Sequence, residues 1–455
     1  MKTLTTTFIG FLLALTVSGM TTFEKNFIRN YREAGKTVRQ TADGGYVIAA
    51  VSEFSHTYLI RTNPNGDTLW TKLYDGVSYD ILEEMDGSFV MCGSLSGNAS
   101  LRKVDANGAV LWTKSFGGTS EEVAYSLIKM GDGGFMFCGY TQSMGSVFQS
   151  VYCVRTDFAG DPLWEKFYSN LYVSEGVRIR ELSGGNIMIC GNATVISKAP
   201  APNNILLIKI NYTGDTLWTR NYVDGTGTLA MSFAETAGNG FLVCGSIGLL
   251  PSGNAVSLVN FDSDGAFQWS KIMNFSSNDS RANWIEKADD DNFIITGTAD
   301  DNLIAFKADN AGDTLWTRWY NNSTIARGNC IQQTSDGGYV VCGQSGSSTT
   351  SFSTYLVKTD ESGLITGTEP NKEPDLQIST YPNPAMGSLS IALGNCQFPV
   401  TISLYDLNGV SRLNQTTSGP ETLTLDVSTL PAGVYLLKIT NETGLVSVTK
   451  VVIAN

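Results

Sequence analysis

The chain has 455 residues, 42% hydrophobic and only 16% charged, with 47 glycines and a single histidine. Its net charge of -13 opposes phosphate backbones and anionic membrane surfaces, so no nucleic-acid partner is expected. With His56 alone, zinc sites of two or more histidines, facial triads and most di-iron sites are excluded, and no cofactor is expected.

Residues 1–19 open with Lys2, continue through an apolar run over 8–15 and close on Ser18 and Gly19. This pattern predicts a secretory signal peptide cleaved near Gly19. The run is shorter than the roughly 20 apolar residues of a membrane-spanning helix. No later stretch is long and apolar enough to cross a bilayer, so no transmembrane segment is expected.

From residue 20 to 365 the chain repeats itself. Each unit reads as a strand, a tight turn, a second strand such as Tyr339-Val340-Val341-Cys342-Gly343, a variable loop, a third strand, a second Gly turn and a fourth strand such as Asp313-Thr314-Leu315-Trp316. The first turn recurs seven times, at Gly44, Gly87, Gly133, Gly184, Asn239, Asp291 and Gly337. Four short strands repeated seven times predict an all-β fold, a seven-bladed β-propeller. Only six units carry the fourth-strand tryptophan, at Trp70, Trp112, Trp164, Trp218, Trp269 and Trp316. The seventh lacks that strand, but Phe23-Glu24-Lys25-Asn26-Phe27 aligns with Trp218-Thr219-Arg220-Asn221-Tyr222. The amino-terminal strand is therefore expected to complete the last blade, closing the ring and removing exposed sheet edges.

The third-to-fourth turn with its Trp, as in Asp105-Ala106-Asn107-Gly108-Ala109-Val110-Leu111-Trp112, resembles the tryptophan-docking motif of quinoprotein-like propellers. That resemblance implies a Trp packed between blades. Turns such as Asp262-Ser263-Asp264-Gly265 offer hard oxygen donors suited to calcium. The same residues build ordinary hairpin turns, which is the favoured reading. Cys92, Cys138, Cys190, Cys244 and Cys342 share one repeat position, and equivalent positions lie about 10 Å apart from blade to blade. Disulfide bonding requires Cα atoms within about 7 Å, so these read as small core residues. Cys330 and Cys342 are the one pair expected on adjacent strands; Cys153 and Cys396 have no evident partner.

The loops joining second to third strands, and fourth strands to the next unit, vary most and share one face around the channel mouth. Ligand contacts are expected there. Glu33, Glu122, Glu175, Arg281 and Arg327 are the candidate polar groups, with His56 on a loop of the same face. No two of them form a recognisable catalytic pair.

Residues 366–375, with Pro370 and Pro374, read as a polar linker. Residues 376–455 alternate in short strands with turns, which predicts a small antiparallel β-sandwich. Four motifs follow in order: Tyr381-Pro382-Asn383-Pro384, then Leu404-Tyr405-Asp406-Leu407-Asn408-Gly409, then Leu430-Pro431-Ala432-Gly433-Val434-Tyr435, and last Lys450-Val451-Val452-Ile453. Together they resemble the type A carboxy-terminal sorting domain of the type IX secretion system of Bacteroidota. The resemblance implies passage through the periplasm, recognition by the secretion machinery, cleavage by a sortase-like peptidase, and a destination on the outer surface or outside the cell. The propeller is expected to bind an unidentified glycan or protein. The competing expectation is a hydrolase or lyase acting on a polysaccharide or glycoconjugate through acidic residues at the mouth.

Overall fold

The computed structural model describes residues 21–365 and 378–454, apart from 30, 144–148, 169–172, 195–202, 224–226, 249–252, 277–278, 321–322, 349, 394–398, 407–409, 418–422 and 442–445. Residues 1–19, the linker, Cys396, Asn408 and Gly409 lie outside the described residues. The chain divides into two compact units, Met1–Gly367 and Thr368–Asn455, and every regular element among the described residues is a strand.

The first unit is seven four-stranded antiparallel sheets. Blade one is typical: Glu33–Gln40 innermost, then Tyr46–Ser52, His56–Thr62 and Thr68–Asp75 outermost. The other innermost strands are Val77–Glu83, Glu122–Lys129, Val173–Glu181, Leu229–Glu235, Ser280–Lys287 and Ile325–Gln333. Each blade is covered by neighbours on both faces, so its middle strands are buried along their length, as Tyr46–Ser52 and Phe135–Thr141 are. A strand buried on both faces cannot alternate polar with apolar residues, and these read as continuous apolar runs. Outermost strands such as Thr68–Asp75 are largely exposed.

The seventh blade takes its outer strand from the amino terminus. Phe23–Phe27 pairs antiparallel with Ser351–Thr359, setting Phe23 opposite Lys358, as Trp218 stands opposite Lys209 in blade four. Phe23 thus holds the tryptophan's place, as the alignment predicted. Each of these aromatics receives the glycine of the following blade's third-to-fourth turn. A Cβ on Gly108, at φ +79°, would lie 3.0 Å from Trp70. On Gly312 it would lie 2.6 Å from Trp269, and on Gly66 2.5 Å from Phe23. Only glycine combines the left-handed φ with that approach. Salt bridges Lys25–Asp67, Lys114–Asp161, Lys166–Asp215 and Lys271–Asp313 repeat the same blade-to-blade contact at 2.5 to 2.9 Å.

The turns are closed by their own side chains. Asp262 Oδ1 accepts the N–H groups of Asp264 and Ala266, and its Oδ2 accepts Gln268 Nε2. Asp105, Asp157, Asp309 and Asp360 cap their turns in the same way. Asp262, one of the two acidic residues of the turn offered for calcium, is therefore engaged as a turn cap. In blade four the first turn sits one residue later than the alignment placed it. Gly185, at φ +79°, is the left-handed residue and donates to Leu182 O, so the turn glycine is Gly185 rather than Gly184.

The second unit contains seven strands in the spatial order Ser411–Thr417, Val400–Asp406, Gly433–Asn441, Val446–Ile453, Ile378–Met386, Ser388–Leu393 and Leu423–Asp426. Val446–Ile453 and Ile378–Met386 meet in parallel at one residue pair, Ala385 and Ile453. A single core of Leu389, Ile391, Ile402, Leu404, Leu437 and Val451 is shared by both halves.

Candidate functional site

The seven innermost strands share one irregularity that determines the channel mouth. Each loses register with its neighbour near its start, between Gly35 and Thr37, Ser78 and Asp80, Ala124 and Ser126, Gly176 and Arg178, Ala230 and Ser232, Ala282 and Trp284, and Gly328 and Cys330. One residue per blade is extruded: Lys36, Tyr79, Tyr125, Val177, Met231, Asn283 and Asn329. The second strand explains why. In six blades it carries a glycine after the repeat Cys or Thr, and a Cβ there would fall within 1.9 Å of the inner strand's carbonyl, as at Gly139 against Val123 O. The missing side chain lets the inner strand bulge, and the bulge re-aims one side chain. In those six blades the glycine is a packing signal that fixes which side chain is extruded, whereas blade one bulges with Ala50 in its place.

The extruded residues divide the mouth into two halves. Tyr79 and Tyr125 meet edge to face, 5.1 Å between ring centroids, and Tyr140 lies 5.9 Å from Tyr125. Burial pushes the Tyr125 hydroxyl well above its ordinary pKa, and Glu175, Tyr140, Tyr79 and Glu121 add to that shift. Burial also raises the Glu175 carboxyl, partly offset by the hydrogen bond from Asn192 Nδ2 at 3.3 Å. Across the mouth, Lys36, Arg281, Asn283, Thr298, Asn329 and Gln344 line a cavity of about 610 Å³, together with Arg327 and three aspartates. Arg281 pairs with Asp279 at 3.1 Å and Arg327 with Asp301 at 3.0 Å. Asn283 and Asn329 each donate Nδ2 to the next blade's backbone, Gly328 O at 2.7 Å and Gly35 O at 2.8 Å.

One to three residues further along the same strands the channel is bridged by charge. Asp80 of blade two accepts Arg39 Nη2 of blade one at 2.7 Å and Arg178 Nη1 of blade four at 3.2 Å. Arg180 of blade four reaches Glu286 of blade six at 3.1 Å. The Arg178 guanidinium lies 3.4 Å from the centre of the Trp284 ring, whose Nε1 donates to Glu286 at 2.9 Å. Burial draws Arg178 down to about 10 despite Asp80. Burial alone would raise Glu286, but Arg180, Arg178 and Arg39 outweigh it and hold the carboxyl below its ordinary value. This web floors the mouth and joins blades that are not neighbours.

The sequence-predicted residues separate on this frame. Arg281 and Arg327 share the cavity, and Glu175 adjoins the tyrosines. Glu33 and Glu122 start their strands with fully buried side chains. Glu33 accepts from Arg29 at 3.0 Å and Ser52 at 3.4 Å; Glu122 accepts from Gly118 N and from Thr141 at 2.8 Å. Both fasten loops and are not presented to a ligand. His56 lies out on the third strand, where Nδ1 meets Ser55 at 2.8 Å and Nε2 is 3.6 Å from Asp75. Lys36, Tyr79, Tyr125, Tyr140 and Glu121 were not anticipated. Cys92-Gly93 and Cys138-Gly139 are the signal that marks Tyr79 and Tyr125; blade one carries Ala49-Ala50 there, so its second strand does not mark Lys36.

Cys330 stands opposite Cys342, as expected, and Cys153 has a partner position after all, opposite Cys138. All four are buried free thiols. Among the described residues, no three His, Cys, Asp or Glu side chains gather as a metal site.

In the second unit the motif residues tie strands together. Asn383 Oδ1 accepts Val452 N–H at 2.8 Å and its Nδ2 donates to Lys450 O at 3.0 Å, joining the first motif to the last. Asp406 accepts Val410 N–H at 3.0 Å and Arg412 Nε at 2.8 Å. Tyr435 donates to Pro431 O at 2.8 Å, and Gly433 pairs with Ile453. Tyr381, Pro382, Pro384 and Lys450 remain exposed.

Residues 379–454 match the family described as the secretion system C-terminal sorting domain. This tail implies interaction with the type IX secretion machinery and export to the cell surface or beyond. No curated protein matches the chain. Among solved structures, a polysaccharide lyase, an ulvan lyase bound to -[GlcA(1-4)Rha3S]-, is 11% identical with a TM-score of 0.50, covering 75% of this chain and 97% of its own. The Neurospora crassa Pan2 WD40 domain is 8% identical with a TM-score of 0.46, over 71% of this chain and 88% of its own. A protein of unknown function from Bacteroides caccae is 12% identical with a TM-score of 0.40, over 60% and 91%. At these identities the likeness concerns the fold alone.

Proposed function

We propose that the chain is a non-catalytic glycan-binding propeller of a Bacteroidota cell surface or secretome. Residues 1–19 direct it to the periplasm, and residues 376–455 address it to type IX secretion. A sortase-like peptidase then cuts within 366–375. The observation that carries the binding function is the ring of extruded residues. It gathers tyrosine rings on one side and amides with cationic groups on the other, over a floored cavity. Apolar sugar faces stack on such rings while hydroxyls bond to amides.

A second reading has one specific support. Glu121 and Glu175 both lie close enough to act on Tyr125, and burial raises Glu175, which suits a general acid of a polysaccharide hydrolase or lyase. A glycan and peptide array with the mature protein, followed by a turnover assay on each hit, separates the two. Binding without product supports the first. Product formation that disappears in Glu175→Gln overturns it. Deletion of residues 381–455 is expected to leave the protein in the periplasm, and unchanged surface display would sink the export route.

A further inference from the structure

We infer that the glycan bound at the mouth carries an acidic substituent, a carboxylate or a sulfate ester, and that Lys36 receives it. This inference rests on the mouth being a glycan site. Lys36 is the extruded residue of blade one, next in ring order to Tyr79. Among the described residues its ammonium has neither hydrogen bond nor ion pair. Burial lowers its pKa, and the only group working the other way is Cys342, a buried thiol whose own ionisation burial opposes. A partly desolvated cation facing a cavity without a counter-ion gains most from an incoming anion.

The surroundings fix how much charge fits. Arg281 and Arg327 share the cavity but are paired with Asp279 and Asp301, and Asp300 lines it too. The three aspartates balance the three cations in number, but only the two arginines are ion-paired, so Lys36 is the lining cation without a paired carboxylate. The pocket therefore matches one acidic group per site rather than a continuous polyanion. Asn283 and Asn329 spend their Nδ2 groups on neighbouring blades, which leaves their Oδ1 atoms to accept sugar hydroxyls. Lys36 and Tyr79 are extruded from adjacent blades, so a sugar stacked on the tyrosine half would bring its acidic group to the Lys36 side of the mouth.

The test titrates the mature full-length chain with an oligogalacturonate, its carboxyl-reduced counterpart, a sulfated galactan oligosaccharide and its desulfated counterpart. An acidic probe is expected to bind about ten-fold or more tighter than its neutral counterpart, the scale of one well-placed charge pair. Lys36→Met is expected to erase that preference and Lys36→Arg to keep it. Tyr125→Ala should weaken acidic and neutral probes alike. Whichever acidic arm shows the preference identifies carboxylate or sulfate. Equal, Tyr125-dependent binding of acidic and neutral probes overturns the role of Lys36 while leaving the glycan site standing. Binding of no probe overturns both. If Lys36→Met fails to fold, Lys36→Gln reads the same difference.

Discussion

Asp80 is the residue on which the channel floor depends, and Asp80→Asn tests that floor with little change in shape. The carboxylate is 1% exposed and accepts Arg39, Arg178, Leu127 N–H, Thr37 and Ser126 at 2.7 to 3.4 Å. An asparagine keeps the volume but loses the charge and turns an NH2 group toward donors. Arg39, Arg178 and Arg180 are then left with Glu286 as their only anion in the web. Stranding a buried charge by removing its partner costs about 3–5 kcal/mol. With a urea m-value of about 3 kcal/mol/M, the midpoint falls by about 1 M or more. All eight tryptophans precede residue 366, so tryptophan emission follows the propeller without interference from the tail. The combination Asp80→Leu, Arg39→Met and Arg178→Met is expected to recover most of the loss, because apolar groups need no counter-charge. An unchanged midpoint in Asp80→Asn would refute the argument. A triple variant no more stable than the single one would show that packing, not charge, was lost.

Ring closure is tested at Phe23, buried edge-on against Tyr46 at 5.9 Å. Phe23→Ala should cost about 3 kcal/mol in urea unfolding, whereas Phe23→Trp, the residue of six other blades, should be tolerated. Acid should act through the first-turn aspartates: the Arg61 hydrogen bond draws Asp43 from 3.8 to about 2, and Asp132 is lowered by Gly134 N–H and Arg155. A folded pKa below the unfolded one gives stability that is complete above about 4 and is lost as pH falls toward 2. Asp43→Asn should flatten part of that slope in an acid titration of tryptophan emission, by a modest amount because Asp43 is mostly exposed. A loss beginning near neutral pH would contradict this assignment. In the tail, Asn383→Ala removes both hydrogen bonds to 450–452, worth about 1–3 kcal/mol together. Cell fractionation should then find more of the protein in the periplasm, and wild-type export would show that those bonds do not matter.

Most of the fold was legible because the repeat is written in residue types with few alternatives: turn glycines, the docked tryptophans and Phe23 at the matching offset. Gly184 and Gly185 are adjacent, so the alignment alone could not choose between them; the hydrogen bond to Leu182 does. The site was harder to read. Glu33 and Glu122 look like loop acids in sequence, but register places them opposite Ser52 and Thr141, where their carboxylates turn inward. The extruded ring depends on a register slip, which a period of two cannot show, although the glycine after the repeat Cys or Thr accompanies it in six of the seven second strands. Cys153 needed the register against Cys138 before it had a partner. The Asp80 web joins blades two, four and six, a distance in sequence that no local pattern spans.

The strand exchange between Phe23–Phe27 and Ser351–Thr359 also has a mechanical consequence. In sequence, Ser351–Thr359 is the last strand of the propeller, followed by the 360–364 turn and then the second unit. Tension drawn through that tail during export meets the 360–364 turn, where Gly363 O accepts Tyr320 at 2.7 Å, and then this strand. As an edge it would unzip one hydrogen bond at a time. Held between Tyr339–Ser348 and Phe23–Phe27, it can leave only by shearing two ladders together, so the strand that closes the ring also serves as its clamp under load.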